Sequence, residues 1–226
     1  MICRLRYPEN EYGFRGFLSE GTDAPVAELG SAEFESIKKL YPPEADDAAV
    51  EYTELASKAS DILLHSGCCV FHGVAFLWRG RAWIFTAPSG TGKSTQYVLW
   101  KMLYGGEISI INGDKPVLEK RRDGSLWVHP SPWTGKEGMG RSESAPLGGI
   151  ICLQRGENSI CRMSAAQAVL PVFGQIMYTP DTEEAVQRAC AMAEAILGRA
   201  PVWQLTNRGD EASARLTHDT LMKEAE

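Results

Sequence analysis

The chain has 226 residues, 44% hydrophobic and 23% charged, the balance of a globular protein long enough for one sizeable core. Its net charge of -6 argues against a nucleic-acid partner, which selects for a basic excess. No apolar run approaches the about 18 residues of a membrane helix, and the opening MICRLRYPENEYGF has no apolar stretch after its arginines, unlike a signal peptide.

In chain order, residues 1–46 read as a small N-terminal segment and 47–226 as the main domain. EYGFRGFL and APVAEL suggest short strands, and SAEFESIKKLY a helix capped by Ser31. Pro42 and Pro43 break that pattern. From Ala48 to Leu64 apolar residues recur at helical spacing, and Gly67 ends the run. Val74–Trp78 and Ala82–Thr86 read as two strands of a hairpin turning at Arg79-Gly80-Arg81. STQYVLWKML is a helix ending at Gly105-Gly106, and ISII a strand. VLEKRRDGSLWVHP is a second hairpin, turning at Asp123-Gly124. SPWTGKEGMGRSESAP is a long polar loop, of the kind that carries function. Strand GGIICLQR, helices over 164–177 and 182–197, strand PVWQL at 201–205 and a helix over 210–223 complete the chain.

The six cysteines, Cys3, Cys68, Cys69, Cys152, Cys161 and Cys190, lack metal-ligand spacing. Adjacent Cys68 and Cys69, in an apolar run, read as small hydrophobes in preference to a zinc site or disulfide framework, and the chain as reduced and cytoplasmic.

The chemistry centres on TAPSGTGKSTQ at Thr86–Gln96. It fits the phosphate-binding pattern G-x-x-x-x-G-K-[ST] with Ala87 at the first position, where only a small residue is needed. A strand leads in and a helix leads out, the context the motif requires. Backbone N–H groups of Pro88-flanked Ser89, Gly90, Thr91 and Gly92, together with Lys93, Ser94 and Thr95, would ring the phosphates of ATP. Gly90 and Gly92 permit backbone shapes that a side chain blocks. Lys93 would reach the β- and γ-phosphates, and the Ser94 hydroxyl would ligate Mg2+.

Such a site needs a carboxylate at the end of a nearby strand, and Asp114 in ISIINGDKP supplies a candidate for metal binding and catalysis. Gly113-Asp114 also reads as a simple turn. His72 in VFHG is a histidine beside an apolar strand, in the core or in the site. Lys136, with Trp133 and Arg141, lies in the long loop, where basic residues could clamp a phosphoryl group or merely be solvated. Asp123 belongs to hairpin-turn chemistry. His65, His129 and His218 carry no signal.

FHGVAFLWRGRAWIFTAPSGTGKST resembles the core of the HPr kinase/phosphorylase family, whose relative with a similar nucleotide site is ATP-dependent phosphoenolpyruvate carboxykinase. INGDKP followed by PSPWTGKEG looks closer to bacterial HPr-kinase-related serine kinases, as do RMSAAQAVLPVFGQIMY and PVWQLTNRGDEASA. The resemblance spans about residues 60–222. It implies an α/β fold of the HPr kinase/PEP carboxykinase type, a P-loop nucleotide-binding core of mixed β-sheet with flanking helices, and self-association. It also implies that Lys93 and Ser94 hold phosphate and metal, that His72 lies near the reacting phosphate, and that Asp114 matches the second of two acidic residues. Gly113 stands in place of the first.

The leading expectation is a kinase that uses ATP and Mg2+ to phosphorylate a hydroxyl-bearing peptide, protein or small-molecule acceptor. Asp114, His72, Lys93 and Lys136 would be catalytic, and Ser94 and Asp114 the metal residues. The alternative is a non-catalytic ATP-binding regulatory protein of the same family. Carboxykinase chemistry is weaker, because such enzymes are much longer chains.

Overall fold

The computed structural model describes residues 1–17, 24–135, 138, 140 and 143–224. In chain order the elements are β1 (Ile2–Cys3), α1 (Glu11–Phe14), β2 (Val26–Ala27), α2 (Ser31–Lys38), α3 (Asp47–Leu64), β3 (Cys68–Val70), β4 (Val74–Trp78), β5 (Arg81–Thr86), α4 (Lys93–Tyr104), β6 (Ile108–Asn112), β7 (Val117–Lys120), β8 (Leu126–His129), β9 (Ala145–Arg155), β10 (Ser159–Arg162), α5 (Ala165–Phe173), α6 (Glu183–Leu197), β11 (Val202–Asn207) and α7 (Glu211–Glu224). The fold is mixed α/β, with a multi-stranded mixed sheet and flanking helices.

The sheet has two arms that share β9. One arm runs β10-β11-β9-β5-β4-β6, in which β11, β9 and β5 are mutually parallel and β4 is antiparallel to both β5 and β6. The other is the antiparallel path β3-β7-β8, whose last strand pairs with the start of β9 through Trp127 opposite Pro146 and Val128 opposite Ala145. The β4–β5 hairpin turns on Arg79 (φ 51°) and Gly80 (φ 72°), with Trp78 opposite Arg81. Two left-handed residues in a two-residue loop give the turn whose twist matches the strands.

Strands β5 and β9 are buried on both faces, so they read as unbroken apolar runs. Their side chains nonetheless alternate between two cores. Ala82, Ile84, Ile150 and Cys152 face Val172 of α5 and Ile196 of α6. Trp83, Phe85, Ile151 and Leu153 face Trp100 of α4 and Leu221 of α7. The phosphate-binding pattern therefore sits where a doubly covered strand ends and α4 begins. Cys69 and Cys152 are buried, and all six cysteines are free thiols.

Several expectations need correction. EYGFRGFL is not a strand: residues 11–14 are α-helical and 15–17 form a 3-10 turn, while Leu18 lies outside the described residues. Pro8, in the first position of the preceding turn, pre-sets the helical backbone, and Phe14 is buried edge-on against Trp133. Ser31 is the first residue of α2 and not its cap; Gly30 occupies that place without a side-chain bond. Helix α3 starts one residue earlier than expected because the Asp46 carboxylate accepts from Ala49 N at 2.9 Å. The helix expected over 164–177 ends at Phe173, after a Ser164–Gln167 capping box at its start. Beyond it the chain runs beside residues 70–72: His72 N donates to Gln175 O at 2.8 Å and Met177 N to Val70 O at 2.9 Å. Strand β3 has no counterpart in the sequence reading, and β9 begins three residues before GGIICLQR.

Candidate active site

A cleft of about 1030 Å³ opens over the start of α4. It is lined by Ser89, Gly90, Gly92, Lys93, Ser94 and Thr95, and by His72 and Asp114. The backbone of Gly90 (φ 75°) and Gly92 (φ 110°) is left-handed, the requirement that makes glycine necessary at both positions. A Cβ at Gly90 would meet no atom within 4 Å, so what bars a side chain there is backbone conformation and not crowding. Helix α4 has no side-chain cap, which suits it to an anion at its positive end.

Lys93 is 8% exposed, and its ammonium donates to Ala87 O at 2.9 Å and Pro88 O at 3.4 Å. Burial lowers its pKa below the usual lysine value, and the nearby Asp114 carboxylate opposes that shift. These bonds hold the ammonium over the loop. The cradle suits an anion beside the Lys93 ammonium, and the half-buried Ser94 hydroxyl lines the same cleft, where it could ligate a metal.

Asp114 sits just past β6, in a turn fixed by Asn112. The buried Asn112 accepts from Asp114 N at 3.0 Å and Lys115 N at 2.7 Å through Oδ1. Its amide donates to Ser131 O and Oγ, both at 3.1 Å. The Asp114 carboxylate has two neighbours: Lys115 Nζ at 2.5 Å on Oδ2 and His72 Nε2 at 3.6 Å from Oδ1.

His72 is held by Gln175, whose Oε1 is 3.0 Å from Nδ1. An amide oxygen only accepts, so this assignment places the ring proton on Nδ1 and leaves a lone pair on Nε2. Burial lowers the His72 pKa below its usual 6.5, and the Lys93 and Lys115 ammonium groups push the same way; Asp114 and the Gln175 bond oppose them. A neutral imidazole and a carboxylate therefore present two acceptors to the space between them. A donor hydroxyl or a cation set beside the pair could reach both.

The remaining walls come from far along the chain. Tyr52 of α3 donates to Pro132 O at 3.1 Å, while its own backbone carbonyl receives Trp133 Nε1 at 2.9 Å. Asn10 and Gly13 approach from the N-terminal segment, pinned because the buried Glu51 carboxylate accepts from Arg6 N at 2.6 Å and Tyr7 N at 3.1 Å.

The structure brings together Ser89, Gly90, Gly92, Lys93, Ser94, Thr95, His72 and Asp114. Thr91 faces a neighbouring cavity, and Pro88 contributes its carbonyl to Lys93. Lys136 and Arg141 lie outside the described residues. Trp133, grouped with them in the sequence reading, is 1% exposed and anchored in the core. Asp123 accepts from Ser125 N at 2.8 Å, as a turn residue does. His129 is bonded to Glu119 and Ser144, and His218 stacks on Tyr104 at 3.9 Å, both away from the cleft. Among the described residues, no group of three or more His, Cys, Asp and Glu gathers in a way that could hold a metal ion. Sequence reasoning missed Asn112, Lys115 and Gln175. Asn two residues before Asp114 is an Asx-turn signal that could have found the first.

No family model and no curated protein matches the chain. Among solved structures it is similar to the HPr(Ser) kinase/phosphatase from Coxiella burnetii, at 9% identity and a TM-score of 0.41, over 70% of this chain and 99% of that one. A likeness of that degree carries no functional weight. Among the described residues, no helix is long and apolar enough to cross a membrane.

Proposed function

We propose that the protein is a kinase that transfers the γ-phosphoryl group of ATP to a hydroxyl acceptor. The observation that carries this reading is the convergence of Lys93, Asp114 and His72 on one cleft above an uncapped helix N-terminus.

Ser89–Thr95 would hold the phosphates, and Lys93 would neutralise charge that builds on the leaving and transferred oxygens. Ser94 and Asp114 would hold Mg2+, which when bound supplies charge neutralisation and alignment of the phosphate oxygens. The acceptor hydroxyl would lie beside Asp114 Oδ1 and His72 Nε2, within hydrogen-bond reach of both. Its oxygen bonds the γ-phosphorus, the bond from that phosphorus to the β–γ bridging oxygen breaks, ADP departs, and the proton passes to Nε2. His72 thus takes the role left open by Gly113.

A second reading, ATP binding without transfer, draws on Lys115: its ammonium occupies one oxygen of Asp114 and competes with a metal. Labelled transfer from γ-labelled ATP in a cell extract separates the two. The kinase reading expects label in an acceptor with the native chain, and none with Asp114→Asn although that variant still binds ATP. Lys93→Ala should lose both. ATP binding without label transfer under these conditions supports the second reading.

A further inference from the structure

Lys115 brings a second ammonium to the main cleft. The residue is 9% exposed and lines the cleft beside Asp114. Its backbone is fixed from several directions. Lys115 N donates to Asn112 Oδ1 at 2.7 Å and Trp133 O at 3.1 Å, and Lys115 O accepts from Ser131 Oγ at 2.5 Å. Pro116 follows and biases the Lys115 backbone to extended forms. Gly73 N donates to Asp114 O at 2.8 Å and Phe71 N to Pro116 O at 2.9 Å, so residues 114–116 are tied to the segment that carries His72.

The side chain is sparsely partnered by comparison. Among the described residues its ammonium makes one hydrogen bond, to Asp114 Oδ2 at 2.5 Å, and lies 5.7 Å from the centroid of the Tyr52 ring. The Tyr52 hydroxyl bond to Pro132 O holds that ring in place. An ammonium has three donors, so two are left over on a group largely withdrawn from bulk water. Burying such a charge is costly unless acceptors replace its water, and one carboxylate oxygen replaces only part of it. Lys93 differs, because two carbonyls of its own loop accept from it. The charge of Lys115 reaches both neighbours and lowers the pKa of Lys93 and of His72.

We propose that Lys115 is a further catalytic residue: while still bonded to Asp114 Oδ2, its ammonium donates to a non-bridging oxygen of the phosphoryl group in transfer. That group then lies between two cations, Lys93 on the side of the loop and Lys115 on the side of the acceptor. Charge building on its oxygens is met from both. The phosphoryl oxygens supply the acceptors that the buried ammonium lacks, and the bond to Asp114 aims it. The Lys115–Asp114 pair thereby gains a purpose other than competition with a metal. The proposal rests on the nucleotide reading above and deepens it. Its rival is a Lys115 that acts only through Asp114, by fixing the carboxylate.

Calorimetric titration with pyrophosphate and with tripolyphosphate, both without metal, tests it. Pyrophosphate occupies the loop alone, and tripolyphosphate adds a third phosphate toward Lys115. Lys115→Met should weaken tripolyphosphate by about tenfold or more and pyrophosphate by less than about threefold. The selective loss should persist in an Asp114→Asn background, where a lysine that acts only through the carboxylate has nothing to act on. In the native chain, where no variant need fold, the nitrogen-15 resonance of the Lys115 ammonium should shift with tripolyphosphate and stay with pyrophosphate. An equal loss for both ligands, a loss that vanishes in the Asp114→Asn background, or an ammonium resonance that tripolyphosphate leaves unmoved overturns the proposal while the phosphate loop stands. If neither ligand binds the native chain, or both bind Lys93→Ala as tightly, the nucleotide reading fails and this proposal with it.

Discussion

Gln175 Oε1 accepts the Nδ1 proton of His72 across 3.0 Å, joining the segment after α5 to the segment before β4. That bond fixes which ring nitrogen faces Asp114. Replacing Gln175 with Leu frees the ring to turn and lets either nitrogen carry the proton. The proposed transfer rate should fall by about tenfold or more, with ATP affinity unchanged. Because the Gln175 bond favours the protonated ring, its loss should also move the acid limb of the pH–rate profile to lower pH. A variant with native rate and native profile would remove His72 from the chemistry.

The same residue makes a prediction about stability. The His72 pKa in the folded chain lies below the usual 6.5. As pH falls through 6.5, the unfolded chain takes up a proton there that the folded chain refuses, so stability declines as the solution is acidified. The decline ends once pH drops below the depressed folded value. His72→Gln should flatten this part of the Tm-against-pH curve. An unchanged slope would show that other groups set it.

Asn112 is fully buried and its side chain makes four hydrogen bonds. Alanine there would take the acceptor from the Asp114 amide and one of two from the Lys115 amide, which keeps Trp133 O at 3.1 Å, and would remove the donor to Ser131 O. Urea unfolding should show a loss of about 2–4 kcal/mol, and Asp114 should lose its position, so transfer falls with it. A loss below about 1 kcal/mol would mean that water replaces the side chain.

Gly73 follows His72 for a packing reason. A Cβ there would lie 2.6 Å from Ile84 Cγ2 and 3.0 Å from Phe85 O. Both belong to the doubly covered strand β5, which cannot shift freely. Gly73→Ala should cost about 1–3 kcal/mol in chemical denaturation and disturb His72 beside it. A neutral substitution would imply a looser strand than the packing indicates.

How far these features can be read from residues alone depends on their range. The β4–β5 hairpin and the loop after it are local, written in Arg79-Gly80 and in the glycine spacing, and their elements are legible. So is the turn at Asp123-Gly124. EYGFRGFL misleads because its helical form is set by Pro8 upstream and by burial of Phe14 on Trp133, far along the chain. Gln175 is invisible for the same reason: FGQIM carries no motif, and only the early end of α5 turns it back to His72. Lys115 is legible as a charge, but its place on Asp114 depends on a turn held by Ser131.

The cleft is thus closed by partners distant in the chain. Tyr52 meets Pro132 across 80 positions, and Glu51 grips Arg6 across 45. Contacts of that separation form late, whereas the β4–β5 hairpin needs only neighbours. During folding, the hairpin should exist before the walls of the cleft. An anion that binds only once those walls are in place would favour the native chain by mass action.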